Sequence, residues 1–316
     1  MTPQPGRLRE LRREAGARRT AAPAAASALA TAPSPSVPAE LRRLLQLRAR
    51  NHVAGNIPPS TDREVQGEEI ATGLHYTETW MDWPPPAACI DARFARVADP
   101  VARAHLLHFD TETTGLAGGT GTRAFMIGAA DWIDARLRLR QLTITRMAAE
   151  TAMLSTFAGW LHAQSVLVSY NGKSYDSPLL TTRYRLACLP NPLIGLQHLD
   201  LLHPVRRHWK GMWANCRLAT AERQLLGVVR EDDLPGAQAP AAWLHYLRGG
   251  SAANLRRVQQ HNAQDLKSLV GILVYLASMD AWPEAPTANA APAIDAGTQR
   301  TGDDRRRGLV SLRTPI

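Results

Sequence analysis

Four carboxylates and one imidazole stand out by type and spacing: Asp110, Glu112, Asp176, Asp265 and His261. Asp110 and Glu112 sit two residues apart in Leu106-Leu-His-Phe-Asp-Thr-Glu-Thr-Thr-Gly-Leu116, closing a buried-strand pattern made by Leu106, Leu107 and Phe109. Residues at i and i+2 of a strand project to one face. The two acids therefore repel, and raise each other's pKa, unless a cation lies between them. Hard divalent ions such as Mg²⁺ favour oxygen ligands of this kind. A strand end with two solvated acids has the same local pattern. Asp176 follows a later strand and immediately precedes Ser177-Pro178, a helix start. It reads as the N-cap of that helix, a position from which a carboxylate also faces a metal. His261 and Asp265 are four apart on a helix and share a face, with Leu269 and then Ile272 or Leu273 continuing the stripe inward. The plain reading is a partly exposed pair; a buried one needs a partner.

The elements that must hold these groups are legible from residue 104 onward. A first strand is expected over 104–110, a second over 124–132 after the loop Gly115-Leu-Ala-Gly-Gly-Thr-Gly-Thr122, and a third over 137–147. Short connections make these three antiparallel neighbours. A helix over 150–163, a strand over 165–170, a helix from about Ser177, a strand over 194–202 and a long helix over 253–279 follow. This pattern predicts an α/β fold with a mixed five-stranded sheet, three strands antiparallel and two parallel, flanked by helices. Ligands of such sheets gather at strand ends, where Asp110 lies.

The 316-residue chain carries a net charge of +9, and its distribution is uneven: residues 1–50 hold ten arginines against three acids. A basic arm on a nearly neutral body suits a polyanion, nucleic acid first. A solubilising tail, or simple arginine bias, explains it equally well. Residues 1–40 are too poor in large apolar side chains to fold, and 283–316 read the same way. Leu41, Leu44, Leu45 and Leu47 suggest a short helix, and 41–103 an extension with loops and a strand or hairpin on the body, 104–279. Three scattered cysteines, Cys89, Cys188 and Cys216, form neither a zinc knuckle nor a disulfide framework and read as core thiols in a reducing, cytoplasmic setting. The longest apolar run, 269–279, is too short to cross a bilayer. The glycine loop lacks the Gly-Lys-Ser/Thr ending of a phosphate loop and leads into a strand rather than a helix, which excludes that class.

Three motifs in this order resemble the DEDD nucleases of the ribonuclease-H-like superfamily, and more narrowly the YprB-type ribonuclease-H-like domain family. They are Phe109-Asp-Thr-Glu-Thr-Thr-Gly-Leu116 with Gly118-Gly-Thr-Gly-Thr122, Tyr170-Asn-Gly-Lys-Ser-Tyr-Asp-Ser-Pro178 and His261-Asn-Ala-Gln-Asp265. The resemblance covers roughly 104–279. It implies a two-metal phosphodiesterase with Mg²⁺ or Mn²⁺, a 3′→5′ exonuclease on single-stranded DNA or RNA. By the same resemblance Asp110 bridges both ions, Glu112 and Asp265 complete one site, Asp176 holds the second ion and His261 is the general base. One departure stands out. Enzymes of this group with a base histidine usually place it five positions before the last aspartate, and here the spacing is four. Four helical residues leave two side chains about 40° apart and five about 140°. His261 therefore either takes the proton or orients water as a hydrogen-bond donor.

Thr113, Thr114, Gly115, Asn171 and Lys173 are the candidate substrate contacts, with a flexible turn and a solvated loop as the plainer readings. Asp200 is expected to support the fold. Arg206, Arg207, His208, Trp209, Lys210 and Trp213 mix charge and aromatics as single-strand channels do, although a helix surface with core tryptophans fits better. A non-catalytic nucleic-acid-binding module of the same fold and a structure-selective endonuclease remain the alternatives.

Overall fold

The computed structural model describes residues 59–115, 120–231 and 233–279. The basic arm, the leucine-bearing helix near 41–47, the tail over 283–316 and the middle of the glycine loop, 116–119, lie outside the described residues. In chain order the strands are β1 (Glu68–Ala71), β2 (Leu74–Met81), β3 (Cys89–Ile90), β4 (Val101–Ala102), β5 (Leu106–Thr113), β6 (Ala124–Ile133), β7 (Arg136–Ile144), β8 (Val166–Ser169) and β9 (Gln197–Asp200). The helices are α1 (Glu150–Ala158), α2 (Asp176–Leu186), α3 (Leu202–Trp209), α4 (Leu218–Ala221), which runs on into a π-helical turn Glu222–Leu226, α5 (Ala239–Leu247) and α6 (Ala253–Ala277).

The main sheet runs β1-β2-β7-β6-β5-β8-β9, with β8 and β9 parallel to β5 and the rest antiparallel. The mixed α/β sheet with its antiparallel trio is as the sequence suggests, but it has seven strands and not five. The two additional strands are the hairpin β1–β2, whose second strand pairs with β7 from Leu74–Ile144 to Met81–Leu137. Its strand Leu-His-Tyr-Thr-Glu-Thr-Trp-Met is half-buried without clean alternation, so its pattern is weak. A two-residue turn, Thr72-Gly73, closes the hairpin, and Gly73 takes the positive φ of 78° that such a turn requires.

Other boundaries move for local reasons. The last strand shrinks from 194–202 to Gln197–Asp200, because Gly195 turns the chain at φ +80° and Leu202 already begins α3. The first helix ends at Ala158, before Gly159, and the long helix at Ala277. Asp176 is the first residue of α2 rather than its cap, and no side chain caps that helix. Its carboxylate accepts the Thr111 hydroxyl hydrogen bond instead.

Helices cover both faces of the sheet, which explains why β6 is apolar and buried along almost its whole length. Leu107, Phe109, Phe125 and Phe157 pack in one cluster with Trp243 of α5. Leu106, Val166, Leu199 and Trp209 pack in the other with Leu266–Leu276 of α6. Trp209 is buried there with Trp213 stacked on it at 4.8 Å between ring centroids, so these tryptophans belong to the packing of α3.

Helix α6 crosses β5–β7 at an unusually close point. Asp110, Gly128 and Gln141 lie side by side on adjacent strands. Asn262 of α6 sits over the glycine, donating from Nδ2 to Asp110 Oδ2 at 2.8 Å and accepting at Oδ1 from Gln141 Nε2 at 2.9 Å. A Cβ on Gly128 would lie 2.1 Å from Asn262 Oδ1 and 2.8 Å from Leu266 Cδ1. Asn262 is fully buried and held at both ends of its amide, so it has no easy retreat. Gly128→Ala is expected to destabilise the protein by about 1–3 kcal/mol, measured as a lowered urea midpoint at unchanged m-value. An unchanged midpoint would contradict this close approach.

Candidate active site

The fold brings Asp110, Glu112, Asp176, His261 and Asp265 to one end of the sheet. Asp110 and Glu112 come from β5, Asp176 from the start of α2 behind β8, and the last two from the middle of α6. Gly172 permits the approach of α2: a Cβ there would meet Ser169 Oγ at 2.4 Å and Asp176 Oδ2 at 3.1 Å. Asp110 and Asp176 keep some solvent contact at the floor of a cleft, whereas Glu112 is only 8% exposed.

These acids are poorly compensated. Asp110 accepts one hydrogen bond, from Asn262, and among the described residues Glu112 accepts none. Burial pushes both carboxyls well above their ordinary values, and the charges of Asp265 and Asp176 push further. Burial likewise lifts Asp176, to about 6, with the Thr111 hydrogen bond opposing it. Asp265 is raised by burial against the pull of His261 and Arg230. A concentration of anions with so few donors is what an oxygen-ligating divalent cation would relieve, so the donor set fits a hard metal. The closure of the site does not yet match: among the described residues no three acidic or histidine side chains converge as one ion's ligands. Asp265 Oδ1 accepts a hydrogen bond from Arg230 Nη2.

His261 is held at a definite angle. Its Nδ1 lies 2.8 Å from both carboxylate oxygens of Asp233 and 3.1 Å from Arg230 Nη1. A carboxylate only accepts, so Nδ1 carries the proton toward Asp233. With the ring in its neutral form the lone pair is then on Nε2, which faces Asp265 Oδ2 at 3.6 Å. Burial pushes the Asp233 carboxyl up, but the hydrogen bond and charge of His261, with Arg230, hold it below its ordinary value.

Among the expected substrate contacts, Thr113, Gly115 and Asn171 line the cleft with Asp110 and Asp176. Thr114 instead closes the turn, exchanging hydrogen bonds with the Arg123 backbone. The Lys173 side chain is exposed and its N–H bonds Asp200. Asp200 also accepts the N–H groups of Asn171 and Leu202, and so organises the loop before α2. Four residues the sequence did not single out belong here: Asn262, Arg230, Asp233 and Glu222. Asn262 carries the one usable signal, a polar residue on the core-facing side of α6. Arg230 and Asp233 read as an ordinary charged loop.

The RNase_H superfamily model matches residues 107–277, more than half of the chain and including all five of these groups. The uncharacterized protein YprB of Bacillus subtilis (strain 168) is 37% identical over 175 residues, which are 54% of this chain and 42% of that protein. The chain thus spans less than half the length of that relative. Among solved structures, the family B DNA polymerase of the hyperthermophilic archaeon Pyrobaculum calidifontis is similar with a TM-score of 0.43 and 16% identity, over 53% of this chain and 24% of that one.

The raised carboxyl of Asp176 has a thermodynamic consequence. Between its unfolded value near 3.8 and its folded value of about 6, the native state binds the extra proton, so stability falls as pH rises through that window. Asparagine keeps the size without the charge. Metal-free Asp176→Asn should match wild type near pH 4, gain stability over it as pH rises through about 6, and gain further above that, because ionised Asp176 also opposes ionisation of Asp110 and Glu112. His108 and His198, which burial keeps neutral down to about 4, act equally in both proteins. Urea denaturation of the pair across pH tests this, and a pH-independent difference would refute it.

Proposed function

The chain belongs to the RNase_H superfamily, and from that premise we propose that it is a metal-dependent nuclease, a 3′→5′ exonuclease that hydrolyses phosphodiester bonds of single-stranded DNA or RNA. The observation that carries this reading is the clustering of four carboxylates from three separate segments, all raised by burial, with one side-chain donor each at Asp110, Asp176 and Asp265 and none described at Glu112. Asp110 with Glu112 and Asp265 would hold one Mg²⁺ or Mn²⁺ ion, and Asp110 with Asp176 a second. Such ions supply Lewis acidity toward phosphate and water oxygens. We assign the activity to residues 104–279, with 41–103 an extension on that body and the basic arm a nonspecific contact to the strand.

The remaining roles fall to the chain's own groups. Asp233 fixes the tautomer of His261, and the free Nε2 is the site at which the proton of the attacking water is taken up. The spacing of four from Asp265 places that nitrogen beside the same carboxylate. Thr113, Gly115 and Asn171 form the wall along which the strand end lies, and Tyr175, 58% exposed on the same cleft, offers a ring for a base. No described helix is long and apolar enough to cross a membrane. Cys89 and Cys188 are free and exposed and Cys216 is half-buried, so they are not the core thiols the sequence suggests; free thiols still suit a reducing compartment, and we place the protein in the cytoplasm. One observation favours a binding module without turnover, namely the engagement of Asp265 by Arg230.

The test is cleavage of 5′-labelled single-stranded DNA and RNA with and without Mn²⁺ or Mg²⁺. A metal-dependent ladder shortening from the 3′ end, absent in Asp110→Ala, is expected; salt-sensitive binding without cleavage would select the binding module. His261→Ala should lower kcat by about 10²–10⁴-fold while metal binding persists. Asp233→Asn should lower kcat in the same direction with KM little changed, and retention of full kcat would remove Asp233 from the account.

A further inference from the structure

Arg230 lies in the loop after the π-helical turn, and four of its five guanidinium N–H groups donate to carboxylates. Nε and Nη2 donate to the two carboxylate oxygens of Glu222, Nη1 donates to Asp233 at 3.1 Å, and the second Nη2 hydrogen goes to Asp265 Oδ1. Glu222 is 1% exposed and also receives the Ser268 hydroxyl, so that end of the contact is anchored in the core. The contact to Asp265 is the only one of these that reaches into the carboxylate cluster. It leaves Asp265 with one oxygen on a guanidinium and the other facing His261 Nε2. Oδ1 of Asp265 is thus taken by the guanidinium, while Oδ2, 3.6 Å from Nε2, makes no hydrogen bond among the described residues.

We propose that Arg230 is the resident counter-ion of this site, holding the place of a divalent metal at Asp265, and that loading of the metal and release of Asp265 by Arg230 are one event. The inference rests on the reading of Asp265 as a metal ligand. Two positive charges cannot share one small carboxylate without mutual repulsion. Release is feasible because the mooring of Arg230 is elsewhere: its two bonds to Glu222 and its bond to Asp233 do not depend on Asp265. The guanidinium can let go of one partner while remaining paired, so no buried charge is stranded. Asp233 is held in the same fork, so the orientation of His261 survives the exchange. In the metal-free protein the same contact offsets part of the anionic repulsion, which lets the site fold before any ion arrives. Arg230 thereby sets the ion concentration at which the enzyme assembles.

The experiment is calorimetric titration of Mn²⁺ into the wild type, Asp110→Ala, Arg230→Gln and the double variant Glu222→Gln/Arg230→Gln. Arg230→Gln leaves Glu222 buried without its cation and risks unfolding. The double variant replaces both members of the pair by neutral amides and keeps the local net charge, so it carries the test if the single variant does not fold. Both variants are expected to bind the Asp110-dependent ion about tenfold tighter than wild type, the scale of one lost charge-assisted hydrogen bond. Equal or weaker binding in a folded variant would overturn the role of Arg230 and leave the nuclease reading standing. Absence of any Asp110-dependent binding in the wild type would overturn both.

Discussion

The mutual repulsion of buried carboxylates is the constraint on which this structure turns. Asp110, Glu112, Asp176 and Asp265 meet at one end of the sheet, and left alone each would drive the others toward the protonated form. The protein answers with a separate device at three of the four acids. An amide from α6 holds Asp110, a strand hydroxyl holds Asp176, and a guanidinium moored in the core holds Asp265. Glu112 has no described donor, and it is also the most enclosed of the acids on β5. Each device comes from a different element, so the site reports on the correct assembly of the whole fold.

The architecture around the acids follows from that requirement. Helix α6 must come close enough for Asn262 to touch Asp110, and only a glycine at 128 leaves the room. The loop before α2 must turn sharply enough to put Asp176 beside β5, and Gly172 and Asp200 provide that turn. The outer hairpin β1–β2 is different in kind. It extends the sheet away from the acids, and among its strand residues only Leu74 is buried in the core of the body.

This distinction also explains what could be read without coordinates. The strands of the body carry dense apolar runs, and Asp110 and Glu112 interrupt one of them, so their chemistry was visible, but β5 runs on to Thr113 and Asp110 lies inside the strand rather than at its end. His261 and Asp265 were visible because helical spacing alone places them on one face. The hairpin was faint because half-exposed strands mix polar and apolar residues without a clear period. Arg230, Asp233 and Glu222 were invisible for another reason. They sit 28 to 43 positions before Asp265 or His261, on a loop and an irregular turn whose spacing has no period to extrapolate. Asp176 shows a third case, a residue correctly singled out whose local geometry differed, since its hydrogen bond goes across to Thr111 and not along its own helix.

The claim that this cluster is a cation site is tested most directly by diffraction from crystals grown with Mn²⁺, recorded at the manganese absorption edge. The account predicts anomalous density bounded by Asp110, Glu112, Asp176 and Asp265, with Asp265 turned from Arg230 toward it. Fully occupied Mn²⁺ elsewhere on the molecule, with none beside Asp110 and Asp265 still on Arg230, would contradict it.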